Sequence, residues 1–123
     1  MPANQPESNK PQIDRTFQIY LWACEVGEVK TVKMILEKNS EFVSKQGKEG
    51  DTGLIKIITN SQHLDSKPVL EIIEMHLRVS SEKDLPVLSK ASNLSMSIYG
   101  PNSSITLILN QRISALKPKR TTI

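Results

Sequence analysis

The stretch of sequence that decides the fold is residues 23–39, which read ACEVGEVKTVKMILEKN. Gly27 divides it into the end of one helix and the start of another, because glycine is a poor helix former. Before Gly27, helical spacing places four apolar side chains on one face, namely Phe17, Tyr20, Leu21 and Cys24. After Gly27, a second apolar face follows with the same period, made of Val29, Val32, Ile35 and Leu36. The stretch therefore predicts two helices joined by a short turn, the second ending at Asn39.

Further helices are predicted downstream of this pair. Thr52 is predicted to open a helix whose apolar face holds Leu54, Ile57 and Ile58, with a loop over residues 60–66. Ser66 is predicted to cap the next helix, and Pro68 suits its first turn. The buried face of that helix is predicted to contain Val69, Ile72, Ile73, His76 and Leu77.

The last third of the chain has a weaker pattern. Pro86 fits the first turn of a short helix, and residues 93–104 are predicted to be mostly loop. A final helical pattern covers residues 105–116, although the short run 105–109 also fits a strand.

Parts of the sequence repeat. A shift of 34 residues aligns residues 20–24 with 54–58, and a shift of 33 aligns residues 52–55 with 85–88. Residues 23–39 resemble the part of an ankyrin repeat in which a small-residue pair, a glycine and a valine-leucine helix follow one another, and the period of about 33 agrees. Residues 50–54 resemble the turn that opens the next ankyrin repeat. The resemblance implies an all-α fold, a short stack of about three degenerate ankyrin-like helix-turn-helix repeats.

These patterns divide the chain into three parts. Residues 1–13, with three prolines among polar residues, are predicted to be a flexible N-terminal tail. Residues 14–116 are predicted to be the ankyrin-like helical repeat domain. Residues 117–123 are predicted to be a basic C-terminal tail.

Composition indicates an intracellular protein. The sequence has a single cysteine, Cys24, so it cannot form an internal disulfide, which suits a reducing compartment. No segment approaches the roughly 18 consecutive apolar residues needed to cross a bilayer. We therefore expect no membrane insertion and a cytoplasmic location, with the nucleus as the alternative.

The sequence does not predict an enzyme. It has no glycine-rich phosphate loop and no nucleophile-elbow motif. Cys24 occupies a small-residue packing position, and His63 and His76 are 13 residues apart without a second cysteine, so neither a nucleophile nor a zinc site is expected. Glu71 and Glu74 fit a solvated helix face. We expect no catalytic residues, no metal and no cofactor.

The ankyrin resemblance implies binding of another protein, through the turns between repeats and the concave face of the first helices. By that resemblance the candidate contact residues are Lys45, Lys48, Glu49, Asp51, Glu25, Thr59 and Asn60. Each also fits an ordinary solvated position. Trp22 can serve as an exposed binding anchor, but its large apolar area favours packing in the core.

Two other functions remain open. The tail residues Lys117, Lys119 and Arg120 can attract phosphate groups, although three charges are few and nucleic acid is not the expected partner. Alternatively, the protein is a structural subunit that forms a homo-oligomer, because three divergent repeats are near the minimum for a stable stack and leave an end face exposed.

Overall fold

The computed structural model describes residues 9–48 and 50–117. These residues form α-helices, three short 3-10 helices and no strand, so the predicted all-α class is confirmed. The six α-helices are α1 (Asn9–Val26), α2 (Val29–Lys38), α3 (Gly53–Asn60), α4 (Ser66–Val79), α5 (Leu85–Tyr99) and α6 (Ser104–Leu116). The 3-10 helices are Ser40–Val43, Ser61–His63 and Glu82–Asp84.

The first helix begins earlier than the apolar pattern predicts. Residues 9–13, which the sequence analysis assigns to the N-terminal tail, are the first residues of α1. Pro11 lies in the first turn, where its missing N–H costs nothing because no carbonyl of a preceding turn is available. Residues 1–8 and 118–123, the remainder of the two predicted tails apart from Lys117, lie outside the described residues.

Gly27 separates α1 from α2 as predicted. Its φ of +81° is in the left-handed region that glycine adopts without a Cβ clash. The N–H groups of Gly27 and Glu28 both donate to the carbonyl oxygen of Ala23, at 2.9 and 2.8 Å. These bonds provide donors for a carbonyl oxygen in the last turn of α1, and α2 begins two residues after Gly27, at Val29.

The helices pack as three pairs in two rows. Within each pair the two helices are in contact, α1 with α2, α3 with α4 and α5 with α6. Helix α3 also contacts α1 and α5, while α4 contacts α2 and α6. The first helices (α1, α3, α5) therefore form one row and the second helices (α2, α4, α6) another. Aliphatic side chains fill the core, and Val32, Leu54, Ile57, Ile72 and Leu109 are among its fully buried members.

Two α-helices of the described chain begin with a hydroxyl cap, and one of these caps, Thr52, is at the helix start predicted above. The Thr52 hydroxyl accepts from the Ile55 N–H at 3.3 Å, and Ser103 accepts from the Thr106 N–H at 3.1 Å. Ser66, predicted to be a cap, is instead the first residue of α4, and Asp65 precedes it. In the part of the chain that the structure describes, no helix is both long and apolar enough to cross a membrane.

The prediction of a loop over residues 93–104 is wrong for residues 93–99, which belong to α5, whereas residues 100–103 do connect α5 to α6 outside any helix. The buried side of α5 consists of one large aliphatic residue, Leu88, and three small residues, Ala91, Ser92 and Ser95, of which the two serines carry hydroxyl groups. The Ser95 and Thr106 hydroxyls form a hydrogen bond of 2.7 Å between α5 and α6, and the Ser92 hydroxyl donates to Asn110 at 2.6 Å. Side-chain hydrogen bonds between α5 and α6 thus add to the aliphatic contacts of α5, and they occur at positions that a purely apolar pattern does not detect. Residues 105–109 are helical, as part of α6.

Candidate partner-binding surface

The turn between the first and second helix pairs is held by backbone hydrogen bonds. The Gly47 N–H donates to the carbonyl oxygen of Asp51 at 2.7 Å, and the Gly50 N–H donates to that of Gly47 at 3.0 Å. The following residue, Thr52, is buried and caps α3. Backbone hydrogen bonds therefore fix both ends of the turn.

Close packing beneath this turn sets the position of α3 against α1. Gly53 lies against the Tyr20 hydroxyl and ring and the Cys24 sulfur, and a Cβ at Gly53 would be 2.9 Å from that sulfur. Only a residue without a side chain allows this approach.

The four predicted contact residues of the turn have different roles. Lys48 is exposed, and Asp51 is mostly buried and forms an ion pair with Lys56 at 3.1 Å. Lys45 is half-buried, with its ammonium 5.1 Å from the centre of the Phe17 ring, so its side chain also packs against α1. Glu49 lies outside the described residues.

The three predicted residues near the ends of the first helices also differ. Glu25 near the end of α1 and Thr59 near the end of α3 are both exposed. The Asn60 amide donates to the carbonyl oxygen of Lys56 at 2.8 Å, one helical turn earlier. Glu25 and Thr59 are therefore accessible to a partner, whereas Asn60 is committed to its own helix.

A shallow polar cleft joins the turn to the first-helix row. It has a volume of about 280 Å³ and is lined by Gln18 of α1, Lys48 and Asp51 of the turn, and Lys56 of α3. Two ammonium groups and one carboxylate give it a net positive charge. The structure thus brings together Lys48 and Asp51 from the predicted set and adds Gln18 and Lys56, which the sequence analysis did not select. Their positions on α1 and α3 are recoverable only when the turn is known to fold between these helices.

The prediction that Trp22 packs in the core is wrong, because 52% of its surface is exposed. Phe17, Tyr20 and Cys24 occupy the buried face of α1. Since each residue turns an α-helix by about 100°, Trp22 falls on the opposite side from these residues. The helical spacing alone indicates that Trp22 lies on the exposed face of α1. The prediction of a core position followed instead from the large apolar area of the indole. Trp22 lies one turn beyond Gln18 on the exposed face of α1.

Three buried side chains with polar atoms, Tyr20, Cys24 and His76, form a cluster between α1 and α4. The His76 Nε2 is 2.6 Å from the Tyr20 hydroxyl and 3.9 Å from the Cys24 sulfur, and the His76 Nδ1 is 2.8 Å from the carbonyl oxygen of Ile72. Because a carbonyl only accepts, Nδ1 carries the proton and Nε2 accepts from Tyr20.

Burial keeps each group of this cluster in its neutral form. It raises the pKa of the Cys24 thiol and of the Tyr20 phenol well above their usual values, and it lowers the pKa of His76 to about 4. A neutral, inaccessible thiol is a poor nucleophile. Residues 15–48 and 50–117 contain no group of three His, Cys, Asp or Glu side chains arranged to hold a metal ion.

The fold and this surface define a chain of three helix pairs with a polar cleft at the first inter-pair turn. Comparison with protein-family models, curated protein sequences and solved structures finds no match.

Proposed function

We propose that this protein is a non-catalytic interaction module, an adaptor or regulator, built as a short ankyrin-like stack of three helix pairs. The order of contacts supports the stack, since first helices pack on first helices and second helices on second helices. The fixed turn before α3 and the glycine against Tyr20 also suit a repeat junction in which the chain enters each new pair at a defined angle. A cytoplasmic or nuclear location is part of the proposal, and the free, buried Cys24 is compatible with it.

The cleft between the turn, α1 and α3 is the observation that carries the proposal. Its side chains come from three separate elements, and the backbone beneath them is already hydrogen-bonded. A partner that binds there does not have to order the turn, so little conformational entropy is lost on binding. Glu25 and Thr59 extend the accessible polar surface toward the ends of α1 and α3.

The chemistry of the cleft favours a polypeptide partner. Lys48 and Lys56 attract carboxylates, the Asp51 carboxylate accepts hydrogen bonds from backbone N–H groups, and the Gln18 amide both donates and accepts them. The burial of Cys24 and His76 supports a function without covalent chemistry, since neither group reaches solvent.

The test compares partner capture by two charge-matched variants. The first, Lys48→Glu with Thr59→Lys, changes two exposed residues of the proposed surface. The control, Lys33→Glu with Ser114→Lys, makes the same changes at exposed positions of the second-helix row. Both are expected to keep the helical circular dichroism and the urea midpoint of the wild type.

A protein captured from host lysate is then purified and its affinity measured directly. We expect the first variant to bind at least about tenfold more weakly, which corresponds to about 1.4 kcal/mol, and the control to bind as the wild type does. Equal binding by both variants would overturn the proposed surface. Capture of nucleic acid alone, weakened by salt, would favour the basic-tail function instead.

A further inference from the structure

Helix α1 carries an apolar strip that no other part of the described chain covers. Ile19, Trp22 and Val26 are 44%, 52% and 42% exposed, whereas isolated apolar residues account for the other large exposed side chains. The three residues are spaced by three and four, so they line one face of the helix, and Arg15 precedes them by one turn on the same face.

This face has the spacing of a coiled-coil seam. Arg15, Ile19, Trp22 and Val26 follow one another at intervals of four, three and four residues, which is the alternation of the d and a positions of a heptad. The two a-type residues, Ile19 and Val26, are β-branched, as is common at such positions. The side chains that hold α1 to the core, including Phe17 and Cys24, lie on the other side. The strip is therefore not required for folding of the monomer.

Charged residues at the two ends of the strip have opposite signs. Arg15 is at its start, and Glu25 and Glu28 are at its end, and all three are exposed. Trp22 lies seven residues after Arg15 and six before Glu28, close to the midpoint. At 1.5 Å per residue, the part of the strip on α1, from Arg15 to Val26, is about 17 Å long.

We propose that this protein forms a two-fold symmetric homodimer in which α1 packs antiparallel against α1 of a second copy. Reversing the helix about Trp22 brings Arg15 of one copy to the C-terminal end of α1 in the other, where Glu25 lies in the last turn and Glu28 just beyond the helix, and the symmetry repeats this arrangement at the opposite end. The same reversal sets Ile19 of one copy near Val26 of the other, with the two indoles at the centre. An isologous contact needs a self-complementary surface, and the charge order of α1 provides one.

The size of the strip makes this a weak, reversible dimer. Three half-exposed apolar side chains and a charged rim form a smaller surface than a standard interface, and interfaces below that size are typical of transient association. The tryptophan at the centre is the residue type that contributes most in such contacts. The dimer surface borders the partner-binding surface on α1, because Glu25 belongs to both and Gln18 of the cleft lies one turn before Trp22. The apolar residues Ile19, Trp22 and Val26 do not line the cleft, so substitutions of Ile19 and Val26 test the dimer separately.

The oligomeric state tests the proposal, and Trp22 supplies a second, local readout because it is the only tryptophan in the sequence. Sedimentation and tryptophan fluorescence are measured over a concentration series up to about 1 mM, at which weak complexes are populated. We expect the mass to rise toward that of two chains while the emission shifts to shorter wavelength over the same range. A constant monomer mass overturns the proposal.

Substitutions locate the contact. Ile19→Lys with Val26→Lys retains the tryptophan and is expected to be a monomer throughout the series. The matched control, Met34→Lys with Leu107→Lys, changes two apolar residues that are 56% and 52% exposed elsewhere and is expected to dimerise as the wild type does. Dimerisation of the first variant, or its loss in the control, overturns the assignment to α1.

Charge reversal tests the antiparallel orientation. Arg15→Glu alone, and Glu25→Lys with Glu28→Lys alone, each place like charges together at both ends of the dimer and are expected to weaken it at least about tenfold. An equimolar mixture of the two variants restores opposite charges at both ends and is expected to recover the wild-type affinity. Failure of the mixture to recover overturns the orientation.

Discussion

At the scale of single residues, the buried imidazole of His76 connects the stability of the protein to pH. Its Nδ1–H donates to the Ile72 carbonyl oxygen and its Nε2 accepts from Tyr20, so the neutral ring is fully hydrogen-bonded. Burial lowers its pKa to about 4, from the usual value of about 6.5. The unfolded chain therefore binds a proton at a higher pH than the folded protein does.

The direction in which stability changes with pH follows from this difference in the pKa of His76. The stabilising contribution of neutral His76 is fully present above about pH 6.5 and is lost as the pH falls from there toward about 4. We expect His76 to reduce the free energy of unfolding by about 2 kcal/mol between pH 7 and pH 5. Urea unfolding followed by circular dichroism at the two pH values measures the loss.

Two histidine variants isolate this contribution. His76→Gln is expected to lower stability at pH 7 and to remove most of the change between pH 7 and pH 5. His63→Gln, at an exposed position, is expected to retain the full change. An unaltered pH dependence in the His76 variant would refute the role of the buried ring.

Gly53 is the second residue on which the packing depends. In Gly53→Ala the new Cβ would overlap the Tyr20 hydroxyl and ring, which are held by His76 and cannot move freely. We expect a loss of about 2 to 4 kcal/mol in the free energy of unfolding, because a clash with a fixed ring forces α1 and α3 apart. Urea unfolding measures it, with Thr59→Ala on the exposed side of α3 as a control that changes stability by less than about 0.5 kcal/mol.

At the scale of the helices, the sequence predicts those elements whose buried faces are aliphatic. Helices α2, α3 and α4 contain Val, Leu and Ile at helical spacing, and the structure confirms their predicted positions. Helix α5 was predicted only at its start, because Ser92 and Ser95 read as polar residues although both are buried. Their hydrogen-bond partners, the Asn110 amide oxygen and the Thr106 hydroxyl, belong to α6, so these partners cannot be identified until the two helices are placed together.

In the candidate surface too, properties of single residues are predictable from the sequence, whereas contacts between separate helices are not. The exposure of Lys48, Glu25 and Thr59 was predictable from local polarity, and the structure agrees. The cleft itself was not predictable, because Gln18 and Lys56 reach it from helices that are far apart in sequence. Tertiary packing decides which exposed residues become neighbours.

The hydroxyl pair between α5 and α6 leads to a prediction for these two helices. Thr106→Val preserves the shape of the side chain but removes the hydroxyl that bonds Ser95 at 2.7 Å and donates to the Gly100 carbonyl oxygen at 2.9 Å. We expect a loss of about 1 to 3 kcal/mol in the free energy of unfolding, since the Ser95 hydroxyl is left buried without this partner. Urea unfolding measures the loss.

A double-mutant cycle provides the control. Ser95→Ala together with Thr106→Val removes both hydroxyls, so the Ser95 hydroxyl is no longer left without its partner, and we expect the combined loss to be smaller than the sum of the single losses. Additive losses would show that the two hydroxyls do not interact.

At the scale of the whole molecule, the middle pair of helices connects the two ends. Cys24 on α1 lies beneath Gly53 of α3 and near His76 of α4, and those two helices also pack against α5 and α6. Exposure of the thiol therefore requires separation of α1 from the middle pair. Because small single domains usually unfold cooperatively, we expect this separation to occur only with unfolding of the entire stack.

Reaction of Cys24 with an aromatic disulfide reagent tests this cooperativity, since it is the only cysteine in the sequence. The free energy of opening obtained from the labelling rate is expected to agree within about 1 kcal/mol with that from urea unfolding. Thr106→Val, which lies in α6 away from Cys24, should then speed labelling by the full factor of its global cost, about 30-fold for 2 kcal/mol. If the third pair unfolds independently, as in a stack with weak interfaces, the same substitution leaves the labelling rate unchanged, because α1, α3 and α4 still enclose the thiol.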